Sequence, residues 1–310
     1  ELVKTIDDPD LLTKIGHKYT LLGDIDRSID IFLGFDNVNG AIESCISMNE
    51  WKKALTISEK YPKYDKKHLL TRFATYLVNH SHVSLALHYL VANNLYAEAS
   101  KIIANEGNIA FSQRNYVFAK KCFCFAALNE MKANINPVQL WHRCEAIHFL
   151  LMANNAIFKK KWGESIELAS RLFSDYSDVI GKETTAAILA IIGINSNFYK
   201  QASLAFIHLE NSKKLSKRKK EKFEKMAIKI FAKVSPVDPS DCKSFNCPKC
   251  NRKMIYPQVK CRCGYVTQPS VVSGNSVDVK TAWKCSTCLH FASNEEISNY
   301  TLCPLCHSKV

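Results

Sequence analysis

Four cysteine pairs crowd into residues 247–306 of this 310-residue chain: Cys247-Pro-Lys-Cys250, Cys261-Arg-Cys263, Cys285-Ser-Thr-Cys288 and Cys303-Pro-Leu-Cys306. Two cysteines at such spacing turn their sulfurs toward a common point, half of the tetrahedral shell that Zn²⁺ takes from thiolates. The four pairs therefore predict two structural zinc sites. A disulfide framework would scatter its cysteines without this rhythm. A redox CxxC would need one pair inside a βαβ unit, and none surrounds these turns. With every ligand a sulfur, no position stays open for a reactive water, so the zinc builds a surface and performs no reaction.

The gaps decide which pairs share a metal. Ten residues separate the first pair from the second, 21 the second from the third, and 14 the third from the fourth. The short gaps suit a hairpin that folds one knuckle over the next. A cross-braced, RING-type arrangement keeps the second and third pairs much closer together. The expectation is two sequential ribbons, Cys247, Cys250, Cys261 and Cys263 around one ion, and Cys285, Cys288, Cys303 and Cys306 around the other. Cys261-Arg-Cys263 is a residue short, but positions two apart in an extended strand face the same side. Cys242 is a spare sulfur near the first site. His290 and His307 follow knuckles and read as supporting or exposed residues, not ligands.

Residues 1 to about 232 must position this end, and they read as helices. Apolar residues recur every three or four positions, with turn signals every 12 to 18 residues. The pattern turn-then-amphipathic-helix appears at Leu22–Phe32 and returns at Asn39–Cys45, Trp51–Ser58, Val83–Leu90, Leu95–Ile102, Tyr116–Phe123 and Trp162–Ala169. A small residue sits mid-helix in many of these: Ala41, Ala54, Ala86, Ala99 and Ala119. Degenerate helix pairs with short turns predict a TPR-like α-solenoid. His80 and His82 fall in an inter-helix turn, with His88 on the next helix. Cys122 and Cys124 point to different sides of one helix and cannot chelate together; with Cys45 and Cys144 they read as buried thiols. Phe111, Tyr116, Phe118, Phe123 and Phe125 read as packing.

The last helix, through Phe223, Met226, Ile228 and Phe231, ends before Ser235-Pro-Val-Asp-Pro-Ser240, a helix-breaking stretch. The predicted organisation is a mainly α solenoid over 1–234, a linker over 235–240, and a small β-rich double zinc-ribbon domain over 241–310. Val271-Val272 and Val277–Trp283 are its strand-prone pieces. So little core needs metal staples.

The formal charge of +13 overstates the case for nucleic acid. Eight bound thiolates and two Zn²⁺ bring it to +9. Much of the remainder lies between Lys213 and Lys225, where Glu221 and Glu224 stand at helical spacing to lysines; a solvated helix start or an acidic partner or anionic lipid surface are the two readings. No RGG tract or RNP-type aromatic box accompanies it. No apolar run approaches the ~18 residues a membrane span needs. Metal-type cysteine usage places the chain in a reducing compartment, and a start at Glu1 reads as a piece of a longer protein.

The ending Trp283-Lys-Cys285-Ser-Thr-Cys288-Leu-His290, Glu296-Ile-Ser298 and Leu302-Cys303-Pro-Leu-Cys306-His307-Ser308 resembles the C-terminal part of the intraflagellar transport 121 family of WD-repeat proteins. Ala41-Ile-Glu-Ser-Cys45 with Asn49-Glu-Trp51-Lys-Lys-Ala54 is similar to one of that family's solenoid repeats, and Val272-Ser-Gly274 to a turn in its zinc region. The helices between about 60 and 235 agree in pattern more than in identity. The resemblance implies a non-catalytic scaffold of intraflagellar transport complex A, preceded by WD-repeat propellers. It implies partners among intraflagellar transport proteins 122, 139 and 43 and ciliary membrane-protein cargo adaptors. Retrograde transport, cilium assembly and membrane-protein entry are the implied roles. The implied location is the cytoplasm, cilium, basal body and axoneme.

Three rival readings remain at this level. A vacuolar-sorting or vesicle-tethering subunit also joins a solenoid to a zinc end. A ubiquitin ligase would use that end to hold a conjugating enzyme. A zinc-ribbon nucleic-acid binder would lose affinity steeply with salt. The zinc end itself reads as a rigid knob, with Tyr265, Trp283, Phe291 and Tyr300 as candidate anchors for a partner subunit. Removing 237–310 is then expected to leave a soluble helical protein.

Overall fold

The computed structural model describes residues 8–62, 64–242 and 244–310. Its chain divides between Ile102 and Ile103 into two compact units. In the first, α1 (Pro9–Leu21), α2 (Ile25–Gly34), α3 (Val38–Ser47), α4 (Trp51–Lys60), α5 (Lys66–Asn79) and α6 (Val83–Ala92) follow one another, each packing on the next. Phe32, Ile42, Leu69 and Leu90 are fully buried, and Trp51 stacks on Phe73 at 5.2 Å. Ala41, Ala54, Ala86 and Ala99 are inaccessible, so the small residues picked out by pattern mark where helices approach closely.

One turn, repeated, ends most of these helices. The second residue past the helix takes positive φ: Asp36, Asn49, Ser81 and Asn94, then Arg114, Asn134, Lys160 and Asn197 further on. The next amide reaches back five residues, as in Asn37 N to Phe32 O at 2.8 Å, Glu50 N to Cys45 O at 2.8 Å and Phe198 N to Gly193 O at 2.8 Å. This is the Schellman closure, which satisfies carbonyls that the helix end leaves open. Asparagine and aspartate recur because they tolerate the left-handed region. An Asp or Asn then caps the following helix: Asp24 accepts from Arg27 N, Asn37 from Gly40 N, Asp65 from His68 N and Asn115 from Phe118 N. The repeat is thus a repeat of turn chemistry as much as of apolar spacing.

The helix α7 (Tyr96–Ser112) precedes the long pair α8 (Tyr116–Lys132) and α9 (Val138–Phe158). In the second unit a 3₁₀ turn (Gly163–Ser165) then leads to α10 (Ile166–Asp175), α11 (Ser177–Ile180), α12 (Lys182–Asn195), α13 (Tyr199–Asn211) and α14 (Lys217–Phe231). Phe149, Leu168, Leu172, Leu189 and Phe206 form its core. Residues 235–240 do not simply hang between elements. Asp238 accepts from the amides of Lys200 (3.0 Å) and Gln201 (3.4 Å), capping the first turn of α13.

Among the described residues three two-stranded antiparallel ribbons follow: β1 (Ser244–Asn246) with β2 (Lys253–Ile255), β3 (Gln268–Pro269) with β4 (Ser276–Val277), and β5 (Trp283–Lys284) with β6 (Phe291–Ala292). A short α15 (Asn294–Ile297) completes the segment. Val271-Val272, expected as strand, forms the turn between β3 and β4, with Val271 N donating to Phe291 O at 2.9 Å and its side chain buried. Among the described residues no helix is long and apolar enough to cross a membrane.

Candidate metal centre

The hairpin β1–β2 carries Cys247 and Cys250 in its turn, and the ribbon β5–β6 carries Cys285 and Cys288. Each of the four knuckles closes the same way. The residue after the second cysteine has positive φ: Asn251, Gly264, Leu289 and His307. Its amide bonds back to the first cysteine's carbonyl, at 2.8 Å for Cys247, 3.0 Å for Cys261, 3.0 Å for Cys285 and 2.9 Å for Cys303. The first cysteine's amide is in turn bonded by Arg252, Tyr265, His290 and Ser308 carbonyls at 2.8, 2.8, 2.9 and 2.8 Å. Cys261-Arg-Cys263 closes as a tighter turn at Gly264, not as the extended strand expected of it.

These turns bring the sulfurs of Cys247, Cys250, Cys261 and Cys263 within 4.8 Å of one another, and likewise those of Cys285, Cys288, Cys303 and Cys306. Across the pairs, Cys247–Cys263 is 3.6 Å, Cys250–Cys261 3.5 Å, Cys285–Cys306 3.6 Å and Cys288–Cys303 3.8 Å. Disulfide sulfurs lie at ~2.05 Å, so none of these is one. A tetrahedron with Zn–S of ~2.3 Å has an edge of ~3.8 Å, and the donor sets fit it. Among the thiols themselves, hydrogen bonds from Cys288 and then Cys303 hold Cys306 far below the usual thiol range. Cys288 is pushed far above it by its bonds with Cys303 and Cys306. A dication between the sulfurs removes that conflict by keeping all four ionised. Two four-cysteine clusters of this geometry are consistent with two structural zinc ions.

The two clusters are supported differently. Cys247 and Cys261 share a small core with Met254 and Tyr265, while Cys250 and Cys263 are partly exposed. All four cysteines of the second cluster are buried, in one core with Phe123, Trp141, Ile147 and Val271. Trp283 packs against that core while staying partly exposed. Tyr300 stays exposed. Cys242 packs on the helical core and joins neither cluster.

The helices hold this segment through buried polar side chains. Arg171, on α10 and 1 % exposed, reaches into the β3–β4 hairpin. Its Nη1 donates to Thr267 O (2.7 Å), its Nη2 to Thr267 Oγ1 (2.9 Å) and Ser276 Oγ (3.0 Å), and its Nε to Gly274 O (3.1 Å). Glu167, one turn earlier, accepts from Ser276 N at 2.7 Å and from its hydroxyl. Gly274 has φ +78°, and a Cβ there would meet Leu168 Cδ1 at 2.5 Å, so both conformation and contact require glycine.

Two further supports reach in from α8 and α9. His148 Nε2 donates to Val271 O at 2.7 Å, and burial, then Lys120, lower its pKa to about 3. Lys120 Nζ donates to Pro304 O at 2.6 Å, inside the fourth knuckle. His290 places both ring nitrogens on acceptors, Cys288 O (2.7 Å) and Glu145 (2.7 Å). Burial opposes its charge, but the Glu145 bond overrides it and its pKa is raised. His290 is therefore a brace and not a ligand.

Sequence reasoning missed Arg171, Glu167, His148, Lys120 and Glu145. Glu167 and Arg171 stand at i, i+4 on an amphipathic helix, a spacing that carries no mark of burial, and only the fold reveals what covers them. These contacts join the segment to the helices, so removal of 237–310, expected from the sequence to leave a soluble helical protein, should strand these buried groups and open the core around Trp141 and Ile147.

Comparison with known proteins matches both parts of this arrangement. Residues 138–238 match the model of IFT121-like TPR repeats, and residues 268–310 match that of the IFT121 second zinc finger domain. WD repeat-containing protein 35 of Rattus norvegicus, Mus musculus and Homo sapiens is in each case 24 % identical over 97 % of this chain. The chain spans 28 % of the rat protein's length and 27 % of the mouse and human ones. It thus carries IFT121-type TPR repeats and second zinc finger, with distant similarity to WD repeat-containing protein 35 over nearly all of its length.

Proposed function

We propose that this chain is a non-catalytic scaffold within intraflagellar transport complex A. Its role is subunit assembly for retrograde ciliary transport, cilium assembly and ciliary membrane-protein entry. One observation carries the reading. The stretch matched to the IFT121 second zinc finger and the stretch matched to its TPR repeats are fastened into one core, with Arg171 and Glu167 of the repeats filling the polar centre of the zinc-finger hairpin. A metal module used in this way is a structural part, not a reaction centre.

In this reading Cys247, Cys250, Cys261 and Cys263 hold one Zn²⁺, and Cys285, Cys288, Cys303 and Cys306 the other. Residues 1–234 supply the solenoid, 235–240 the connection and 241–310 the metal-stapled module. Four thiolates per ion leave no site for an activated water, so no step of catalysis is assigned to either. The partners are intraflagellar transport proteins 122, 139 and 43 and cargo adaptors for ciliary membrane proteins. The setting is the cytoplasm, basal body, axoneme and cilium.

The test is reconstitution. The zinc-loaded chain, co-expressed with proteins 122, 139 and 43, is expected to co-elute with them from a sizing column. A folded, zinc-loaded chain that elutes alone would overturn the proposal, and so would discharge of ubiquitin from a conjugating enzyme.

A further inference from the structure

The helix α14 has one packed face and one open face. Phe223, Ala227, Ile230 and Phe231 lie on the core, yet no residue of the helix is buried. Beside its C-terminal half runs a groove of about 460 Å³ lined by Ile194, Tyr199, Met226, Lys229, Ile230 and Lys233. Its floor is apolar, and its charged lining residues are lysines. Met226 is 49 % exposed at the lip. Upstream on the same helix and its approach stand Lys213, Lys214, Lys217, Arg218, Lys219, Lys220, Lys222 and Lys225, against only Glu221 and Glu224. Among the described residues of this unit, the ion pairs engage Lys161, Arg171, His142 and His290 and leave that run out.

We infer that this groove is the docking site for an acidic amphipathic helix contributed by a partner protein. An apolar floor between lysine rims asks for leucine-like side chains at i, i+3, i+4 and i+7, flanked by aspartate or glutamate. The basic run then lies along the partner's acidic face, where it steers encounter and fixes polarity. A second copy of this chain does not fit, because two such basic helices repel. The groove is lined from α12, α13 and α14 together, a concavity that suits an inserted helix better than a flat bilayer surface, and the vesicle arm of the test decides between them. The inference rests on the scaffold reading only in taking the occupant for a neighbouring subunit.

The probe is a fluorescein-labelled synthetic peptide of about 16 residues, with leucines at i, i+3, i+4 and i+7 and glutamates elsewhere. Fluorescence anisotropy with the whole chain is expected to give saturable micromolar binding. Met226→Glu, and separately Lys229→Glu with Lys233→Glu, should each weaken it by about tenfold or more. These residues line the open groove, so zinc content and thermal midpoint should stay unchanged, which separates lost docking from lost folding. Equal binding of a control peptide with its leucines scattered would reduce the effect to charge alone and overturn the site. So would unchanged affinity in the variants, or binding to phosphatidylcholine–phosphatidylserine vesicles while the peptide fails. Peptide binding is read on the chain by itself, so a failed reconstitution with complex A subunits leaves this result standing, and the reverse.

Discussion

Replacing Arg171 with methionine removes the fastening between helix α10 and the β3–β4 hairpin while roughly conserving volume. Four donated hydrogen bonds disappear, to Thr267 O, Thr267 Oγ1, Ser276 Oγ and Gly274 O. The buried carboxylate of Glu167 also loses its cation at 3.5 Å, and Asp175 its cation at 3.8 Å. Breaking a buried pair from one side costs about 3–5 kcal/mol, because the partner charge is left without compensation. The orphaned carbonyls lie within the same polar centre, so the figure is not multiplied per bond; about 4 kcal/mol is expected. For a unit of this size each kcal/mol moves the midpoint by ~2–4 °C, so scanning calorimetry should show a drop of roughly 10 °C. Arg171→Lys keeps the charge but not the planar fork and should lose about half as much. Limited proteolysis should cut first within 267–276. A loss under about 1 kcal/mol, with the hairpin still protected, would refute the claim that Arg171 joins the two parts.

Three further outcomes follow from individual residues. His148 is held neutral by burial, faces Lys120 from α8 and His290 and His307 from the zinc segment, and has its pKa lowered to about 3. Its stabilisation is full above the unfolded value of ~6.5 and falls as pH drops toward 3, by about 2 kcal/mol between roughly pH 8 and 5; His148→Gln, which still donates to Val271 O, should flatten that part of a pH series of urea midpoints. Lys160 sits at φ +57° in a Schellman turn with its side chain exposed, so Lys160→Gly should raise stability by about 0.5–1 kcal/mol, measured by urea unfolding. Because Cys250 and Cys263 are partly exposed while the second cluster is buried, a colorimetric chelator should release zinc in two phases. Cys247→Ser should abolish the fast phase and leave the slow one.

The sequence made the helices and the knuckles readable, because both depend on local chemistry. Ala41, Ala54, Ala86 and Ala99 signalled close helix contacts, and Asn49, Asn94 and Asn197 sit where a left-handed turn residue is needed. Cysteine spacing pointed to clusters because a two-residue turn fixes where sulfurs face. What pattern could not supply was the burial of charge. Arg171, Lys120 and His148 look like surface residues of amphipathic helices until the zinc segment covers them, and the residues that meet them lie about 100 to 180 positions later in the chain. Val271 lies in a turn closed by Gly274 N to Ser270 O at 2.8 Å, and the core that buries its side chain comes from helices far earlier in the chain. Arg114 and Lys160, at positive φ, obey no composition rule for turns; the helix spacing around them imposes the conformation.

Zinc stoichiometry combined with X-ray absorption at the zinc edge tests the central claim most directly. Two closed structural sites predict two zinc ions per chain, each with four sulfurs at ~2.3 Å and no oxygen or nitrogen in the shell. A single ion per chain, or a shell that includes a lighter ligand or water, would contradict it.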